Sequence, residues 1–170
     1  MNALNIKLAR YNMIEQQIRP WDVLDERVLD LLADLPREDF VPEKYQSLAF
    51  SDMSIPLERG QFMMPPKLEA RILQSLEINA TDRILEIGTG SGYLTACLAK
   101  LGRSVESVDI FEHFTTSTQE KLNSQAINNV SLQTADAANG WGEGEYDVIV
   151  MTGSLPVLHR EFHEKLSIGG

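Results

Sequence analysis

Apolar residues recur at helical spacing through the first third of the chain and in a strand-helix alternation through the rest. Leu4, Leu8, Met13, Ile14 and Ile18 fall near one face of a helix that Arg19-Pro20 stops, because proline offers no backbone N–H and its ring clashes with the preceding turn. Asp25 stands as an N-cap in front of Val28, Leu29, Leu31, Leu32 and Leu35, a short helix ended by Pro36, and another helical turn is expected after Pro42. Between Ala49 and Met64 the pattern is irregular, broken by Pro56 and Gly60, before Pro65-Pro66 opens a helix through Leu68, Ile72, Leu73 and Leu76.

From residue 83 the texture changes. The pattern predicts strands over 83–87, 105–110, 130–134 and 146–151, with helices over 93–101, 114–126 and 156–166 between and after them. Strands alternating with helices across short connections imply an α/β fold with a mostly parallel sheet and right-handed crossovers. At 170 residues with 43% hydrophobic content, the chain is expected to form a single domain. It stops at Ser167-Ile168-Gly169-Gly170, where glycines would turn the backbone into another strand, so C-terminal strands are expected to be missing.

Charge narrows the partners. A net charge of −10 without a Lys/Arg cluster lacks the electrostatic footprint of phosphate-backbone binding, so nucleic acid is not expected. No apolar run approaches the ~20 residues of a membrane span, and Met1 to Arg10 lacks the apolar core of a signal peptide. Cys97 is the one cysteine and permits no internal disulfide, which fits a cytoplasmic protein.

The candidate chemistry lies in "LEIGTGSGY", Leu85 to Tyr93, between the first strand of the alternation and its helix. Gly88, Gly90 and Gly92 let the backbone take positive φ and approach a ligand closely. The G-x-G-x-G spacing is neither the G-x-G-x-x-G of dinucleotide sites nor a P-loop, so a phosphate cradle and a dinucleotide oxidoreductase are both disfavoured. Carboxylates stand at successive strand ends: Glu86 in the first, Asp109 closing the second 19 residues after Gly90, and Asp136 after the third. Asp109 is placed to accept from ribose hydroxyls, Asp136 from an adenine amino group, and Glu86 to help hold a cationic amino group. Acids without a phosphate-binding base suit a cationic adenosine ligand, and S-adenosyl-L-methionine carries a sulfonium and an ammonium but no phosphate. With the neighbours Thr89, Ser91, Ile110 and Ala137, these residues make up the candidate cofactor site.

The chain resembles the protein-L-isoaspartate O-methyltransferase family along nearly its whole length. The resemblance rests on "PREDFVP" (36–42), "IPLERGQ" (55–61), "LEIGTGSGY", "NNVSL" (128–132), "GW" (140–141), "YDVIVMTGS" (146–154) and "LSIGG" (166–170). It implies a Rossmann-like methyltransferase fold in which 1–64 form a helical cap with the substrate-side loop and 65–170 the cofactor-binding core. It also implies methylation of the isoaspartyl carboxyl group in a damaged protein or peptide. Two departures stand out. The family has a Thr-Ile-Ser run after Gly-Gln, its serine at the reacting centre, where this chain has Phe62-Met63-Met64, and Gly-Asp-Gly becomes Ala135-Asp136-Ala137. Met64 thus occupies a catalytic position without a hydroxyl, and backbone N–H groups of the loop, or Thr152 and Ser154, are candidate replacements. Transfer to a different carboxylate or small molecule, and a catalytically silent cofactor-binding module, stay open.

Other residues read as structural. His159 and His163 are spaced i, i+4, but "HREFH" is not H-E-x-x-H and no metal is expected. Cys97 reads as a small buried hydrophobe, Trp21 as packing, and Arg10, Arg19 and Arg37 as solvated. Trp141 is open between pocket wall and core. Phe62, Met63 and Met64 are expected to line the methyl-transfer pocket.

Overall fold

The computed structural model describes residues 3–154, 157 and 159–170. Two compact units divide the chain, Met1–Glu77 and Ile78–Gly170. The helix opened by Pro65-Pro66 belongs to the first of them.

In the N-terminal unit, α1 (Ala3–Met13) runs into a π-helical stretch, Ile14–Ile18, and a 3₁₀ turn, Arg19–Trp21. Asp22, left-handed at φ 58°, ends the run after Pro20. The buried face is Met13, Ile14 and Ile18, whereas Leu4 and Leu8 are 72% and 58% exposed; the apolar spacing marks the burial only at its C-terminal end. Next, α2 (Glu26–Asp34) starts where the Asp25 carboxylate accepts the Arg27 N–H at 2.9 Å, and it buries Val28, Leu29 and Leu32. Trp21, expected to pack, is half exposed, with the Lys67 ammonium 4.1 Å from its ring centroid.

The irregular stretch after Ala49 hides an antiparallel pair, β1 (Ile55–Pro56) and β2 (Phe62–Met63), in the register Ile55↔Met63. Strands this short carry too little alternation to be read from sequence. Their turn uses Arg59 and Gly60, both at positive φ. Met63 is buried and Phe62 is 61% exposed, so the two alternate across β2 and do not line one surface together. Then α3 (Pro66–Ser75) buries Ala70 and Leu73 together with a charged residue, Glu69.

Glu69 explains Arg37, which is fully buried and not on a solvated face. The Arg37 Nε donates to the Ala49 carbonyl at 2.8 Å, Nη2 to the Met64 carbonyl at 2.7 Å, and Nη1 to Glu69 Oε2. One guanidinium therefore ties together the turn at 37–40, the 49 carbonyl, the 64 carbonyl and α3. Burial pushes the Glu69 carboxyl up, to about 7, against the pull of the Arg37 charge and hydrogen bond. Arg10 is also withdrawn from solvent, ion-paired with Glu38 at 2.6 Å; Arg19 stays at the surface beside Glu15.

In the C-terminal unit, β3 (Arg83–Ile87), β4 (Ser104–Asp109), β5 (Val130–Thr134) and β6 (Val148–Met151) form one parallel sheet in the order β5-β4-β3-β6. Ile84 pairs with Val105 on one side and Val148 on the other. The helices α4 (Tyr93–Leu101) and α5 (Glu112–Ser124) follow β3 and β4. On one sheet face Leu85, Ile87 and Val108 pack with Ala137, Tyr146 and Phe162. The last strand starts at Val148 rather than 146 because Tyr146 exchanges hydrogen bonds with Lys165 and Ser167 in a separate parallel bridge to Leu166. Of the helix expected over 156–166, α6 spans Arg160–Glu164, while residues 155, 156 and 158 lie outside the described residues. Cys97 is fully buried in α4. No described helix is long and apolar enough to cross a membrane.

Arg37→Met is expected to destabilise the N-terminal unit by about 3–5 kcal/mol, because it strands a buried carboxyl and two carbonyls. Adding Glu69→Leu should recover part of that loss, and a chemical-denaturation mutant cycle measures both. Equal stability of Arg37→Met and wild type would refute the clamp.

Candidate functional site

In the order β5-β4-β3-β6 the chain steps from β3 to one side and later returns to the other. The carboxyl end of β3 is thus the switch point where open α/β sheets form a crevice. The loop over residues 88–92 lies there. Gly88, Gly90 and Gly92 have φ of 103°, 52° and 82°, backbone that side-chain-bearing residues rarely adopt.

Each residue of this loop is held by a different neighbour. The Gly88 carbonyl accepts the Thr152 hydroxyl at 2.8 Å, and a Cβ on Gly88 would stand 2.6 Å from the Gly153 nitrogen. The Thr89 hydroxyl shares a 2.7 Å hydrogen bond with Ser107. The Gly90 N–H donates to Asp109 Oδ2 at 2.9 Å. The Ser91 carbonyl accepts Lys121 Nζ at 3.0 Å, while the Ser91 hydroxyl accepts the Tyr93 N–H at the start of α4. Gly92 has Thr118 of α5 where a side chain would begin, with Cγ2 2.6 Å from an ideal Cβ.

The carboxylates divide into two kinds. Glu86 is fully buried, and its Oε2 accepts the hydroxyls of Thr95 at 2.5 Å and Ser107 at 2.6 Å. That network runs from the sheet interior through Ser107 to Thr89, so Glu86 supports the loop from beneath. Asp109 is nearly buried, accepting from Gly90 N–H on one oxygen and Phe111 N–H on the other. Each carboxylate oxygen accepts more than one hydrogen bond, which leaves Asp109 capacity toward the crevice. Asp136 is exposed and turns the chain after β5 through the Ala138 N–H at 3.0 Å.

Beside Asp109, Ile110 is 57% exposed, an apolar surface at the strand end. Ala137 is buried in the core cluster. Trp141 belongs with that cluster: its indole N–H donates to Glu106 at 2.9 Å, and Tyr146 donates to the other oxygen of the same carboxylate at 2.6 Å. Burial and this bond push the Tyr146 phenol well above its ordinary pKa. Ser154 is exposed just after β6, and Met64 is half-buried in the other unit with its carbonyl on Arg37. His159 caps α6, its Nδ1 facing the Glu161 N–H, and so stands outside the helix that carries His163.

Sequence reasoning missed Thr95, Ser107, Thr118 and Lys121. A signal existed for one: Thr95 is a hydroxyl inside the otherwise apolar run Tyr93 to Ala99, where a buried polar group requires a partner, whereas Ser107 stands beside Glu106 in a mixed strand. Thr118 and Lys121 share a face of α5 at i, i+3, but nothing local says which loop that face meets.

The model of the family described as protein-L-isoaspartate(D-aspartate) O-methyltransferase matches residues 9–170. Protein-L-isoaspartate O-methyltransferase 2 of Pelobacter propionicus is 34% identical across 100% of this chain and 77% of its own. A Methanoculleus marisnigri protein-L-isoaspartate O-methyltransferase is 35% identical over 100% of this chain and 78% of its own. A solved protein-L-isoaspartate O-methyltransferase superposes with a TM-score of 0.79 at 22% identity, over 96% of this chain; this chain spans only 53% of that one. A Plasmodium falciparum structure in complex with S-adenosyl-L-homocysteine gives a TM-score of 0.74 at 18% identity, covering 95% and 79% of the two chains. At these identities the solved structures establish the fold.

Gly92→Ala is expected to cost about 2–4 kcal/mol, part from left-handed backbone and part from overpacking against Thr118. Thr118→Ala in the same chain should return the overpacking part alone, read by denaturation of the single and double variants. No recovery, or no cost at all, would contradict the close approach of α5.

Proposed function

This chain belongs to the protein-L-isoaspartate(D-aspartate) O-methyltransferase family, and we propose that it binds S-adenosyl-L-methionine and methylates the carboxyl group of isoaspartyl residues in damaged proteins. The observation that carries the cofactor reading is the loop at 88–92, preformed with a carboxylate, Asp109, bonded to its central Gly90 N–H. A phosphate would meet that negative charge; a ribose would meet an acceptor. The Lys121 ammonium is turned to the Ser91 carbonyl.

Within this reading, Asp109 accepts from ribose hydroxyls, Ile110 lies against the base, and Asp136 accepts from the adenine amino group. The glycines bring backbone close to the amino acid portion, with Glu86 and its hydroxyl partners bracing them. Bound there, the cofactor supplies an electrophilic methyl group on a sulfonium.

The acceptor carboxylate is already ionised at pH 7, since such groups titrate near 4. No general base is required, and the protein's task is to position the acceptor and exclude water, worth roughly 7–11 kcal/mol in a well-aligned site. A hydroxyl orienting that carboxylate would contribute on the order of 1.5–3 kcal/mol. Met64 offers a thioether in its place, a weak acceptor and no donor. Thr152 donates its hydroxyl to Gly88, so Ser154, exposed just after β6, is the acceptor-side candidate.

Calorimetric titration with S-adenosyl-L-homocysteine is expected to show one site on the C-terminal unit; absence of binding would overturn the cofactor assignment. On an isoaspartyl peptide, Met64→Ser should raise turnover about 10- to 150-fold, the equivalent of one hydrogen bond to a charged group. Binding without turnover in either form would leave a silent module or a different acceptor, and a serine that gains nothing would remove Met64 from the acceptor site.

A further inference from the structure

We propose that Lys121 is a positioning residue for the methyl-donor loop, locking the Ser91–Gly92 peptide plane so that the loop is in its binding conformation before the ligand arrives. The proposal rests on the cofactor reading above for its functional consequence, but not for its geometry.

The Ser91–Gly92 peptide is held at both ends. Its carbonyl accepts Lys121 Nζ at 3.0 Å, and its N–H, on Gly92, donates to the Thr89 carbonyl at 2.9 Å. Gly92, whose φ is one of the two dihedrals that turn this plane, stands at φ 82°, and glycine's freedom makes such a plane prone to rotation unless both ends are fixed. The other side-chain tethers of the loop come from the sheet side: Thr152, Ser107 and Asp109 all lie in or just after strands. Lys121 is different, because it reaches the loop from α5.

Two further facts support the assignment. One helical turn before Lys121, Thr118 fills the place of the missing Gly92 side chain, so α5 meets consecutive loop residues. The Lys121 amine is desolvated, which lowers its pKa, and a lysine withdrawn from water gives up hydration that only a specific acceptor offsets. A charge-assisted bond to a carbonyl supplies that acceptor. By fixing the plane, Lys121 removes conformational freedom that ligand binding would otherwise have to remove, so it acts on affinity rather than on the methyl-transfer step.

The test compares wild type, Lys121→Met and Lys121→Arg, each as the 170-residue chain. In the unliganded proteins, amide hydrogen exchange at Gly92 and Tyr93 should accelerate about fivefold or more in Lys121→Met and return toward wild type in Lys121→Arg. Affinity for S-adenosyl-L-homocysteine should weaken about 5- to 20-fold in Lys121→Met, with KM for the methyl donor rising in step and kcat within about twofold. Unchanged exchange and affinity in Lys121→Met would overturn the proposal. So would equal losses in the Met and Arg variants matched by a drop in melting temperature, since that pattern means packing. If wild type fails to bind S-adenosyl-L-homocysteine while the exchange difference persists, the cofactor reading falls and the locking role stands.

Discussion

A turn built from Gly-Thr-Gly-Ser-Gly keeps one shape only if something outside it supplies the restraint. Glycine is chosen because its backbone can adopt positive φ and come close to other atoms, and the same freedom makes the ordered state entropically costly. The C-terminal unit meets that constraint residue by residue, with Thr152, Ser107, Asp109, Lys121 and Thr118 each engaging a different position between Gly88 and Gly92. Much of the sheet's polar interior follows from this. Glu86 lies fully buried in β3, and it is tolerated because Thr95 and Ser107 donate to it while Ser107 also meets Thr89.

The N-terminal unit solves a similar problem with a charge. Its segments between α2 and α3 have little regular structure, and Arg37 gathers their carbonyls and Glu69 around one rigid, planar group. Arginine suits this role because its fork reaches several acceptors in fixed directions and stays charged when buried. The Met64 backbone is thereby pinned while its side chain is left to define the local chemistry. A different side chain at position 64 would leave the hydrogen bond that fixes the chain there in place.

Much of this was legible in the residues. The strands at 83–87 and 130–134 and the helix at 93–101 match the structure, since their signals are short apolar runs or apolar alternation bounded by glycine and polar turns. The β1/β2 pair was not legible, since two-residue strands carry no periodicity. Arg37 and Arg10 were misplaced because a charged residue on a short turn or a helix looks solvated until its partner, 32 or 28 positions away, is known. Trp141 was undecided for the same reason: only the fold brings Glu106 to its indole N–H.

By itself the sequence determined the alternation of strands and helices, the glycine turn at the end of β3 and the acids at the strand ends, because periodicity and glycine chemistry are local properties. Tertiary structure alone decided what each of those acids touches. Glu86 became a buried support, Asp109 a brace for Gly90 and Asp136 an exposed turn residue. It also decided that Lys121, unremarkable on a polar helix, meets the Ser91 carbonyl. The physical reason is that hydrogen-bond partners separated by tens of residues are chosen by the packing of helices on the sheet, and no local pattern encodes which face of α5 lies against which turn.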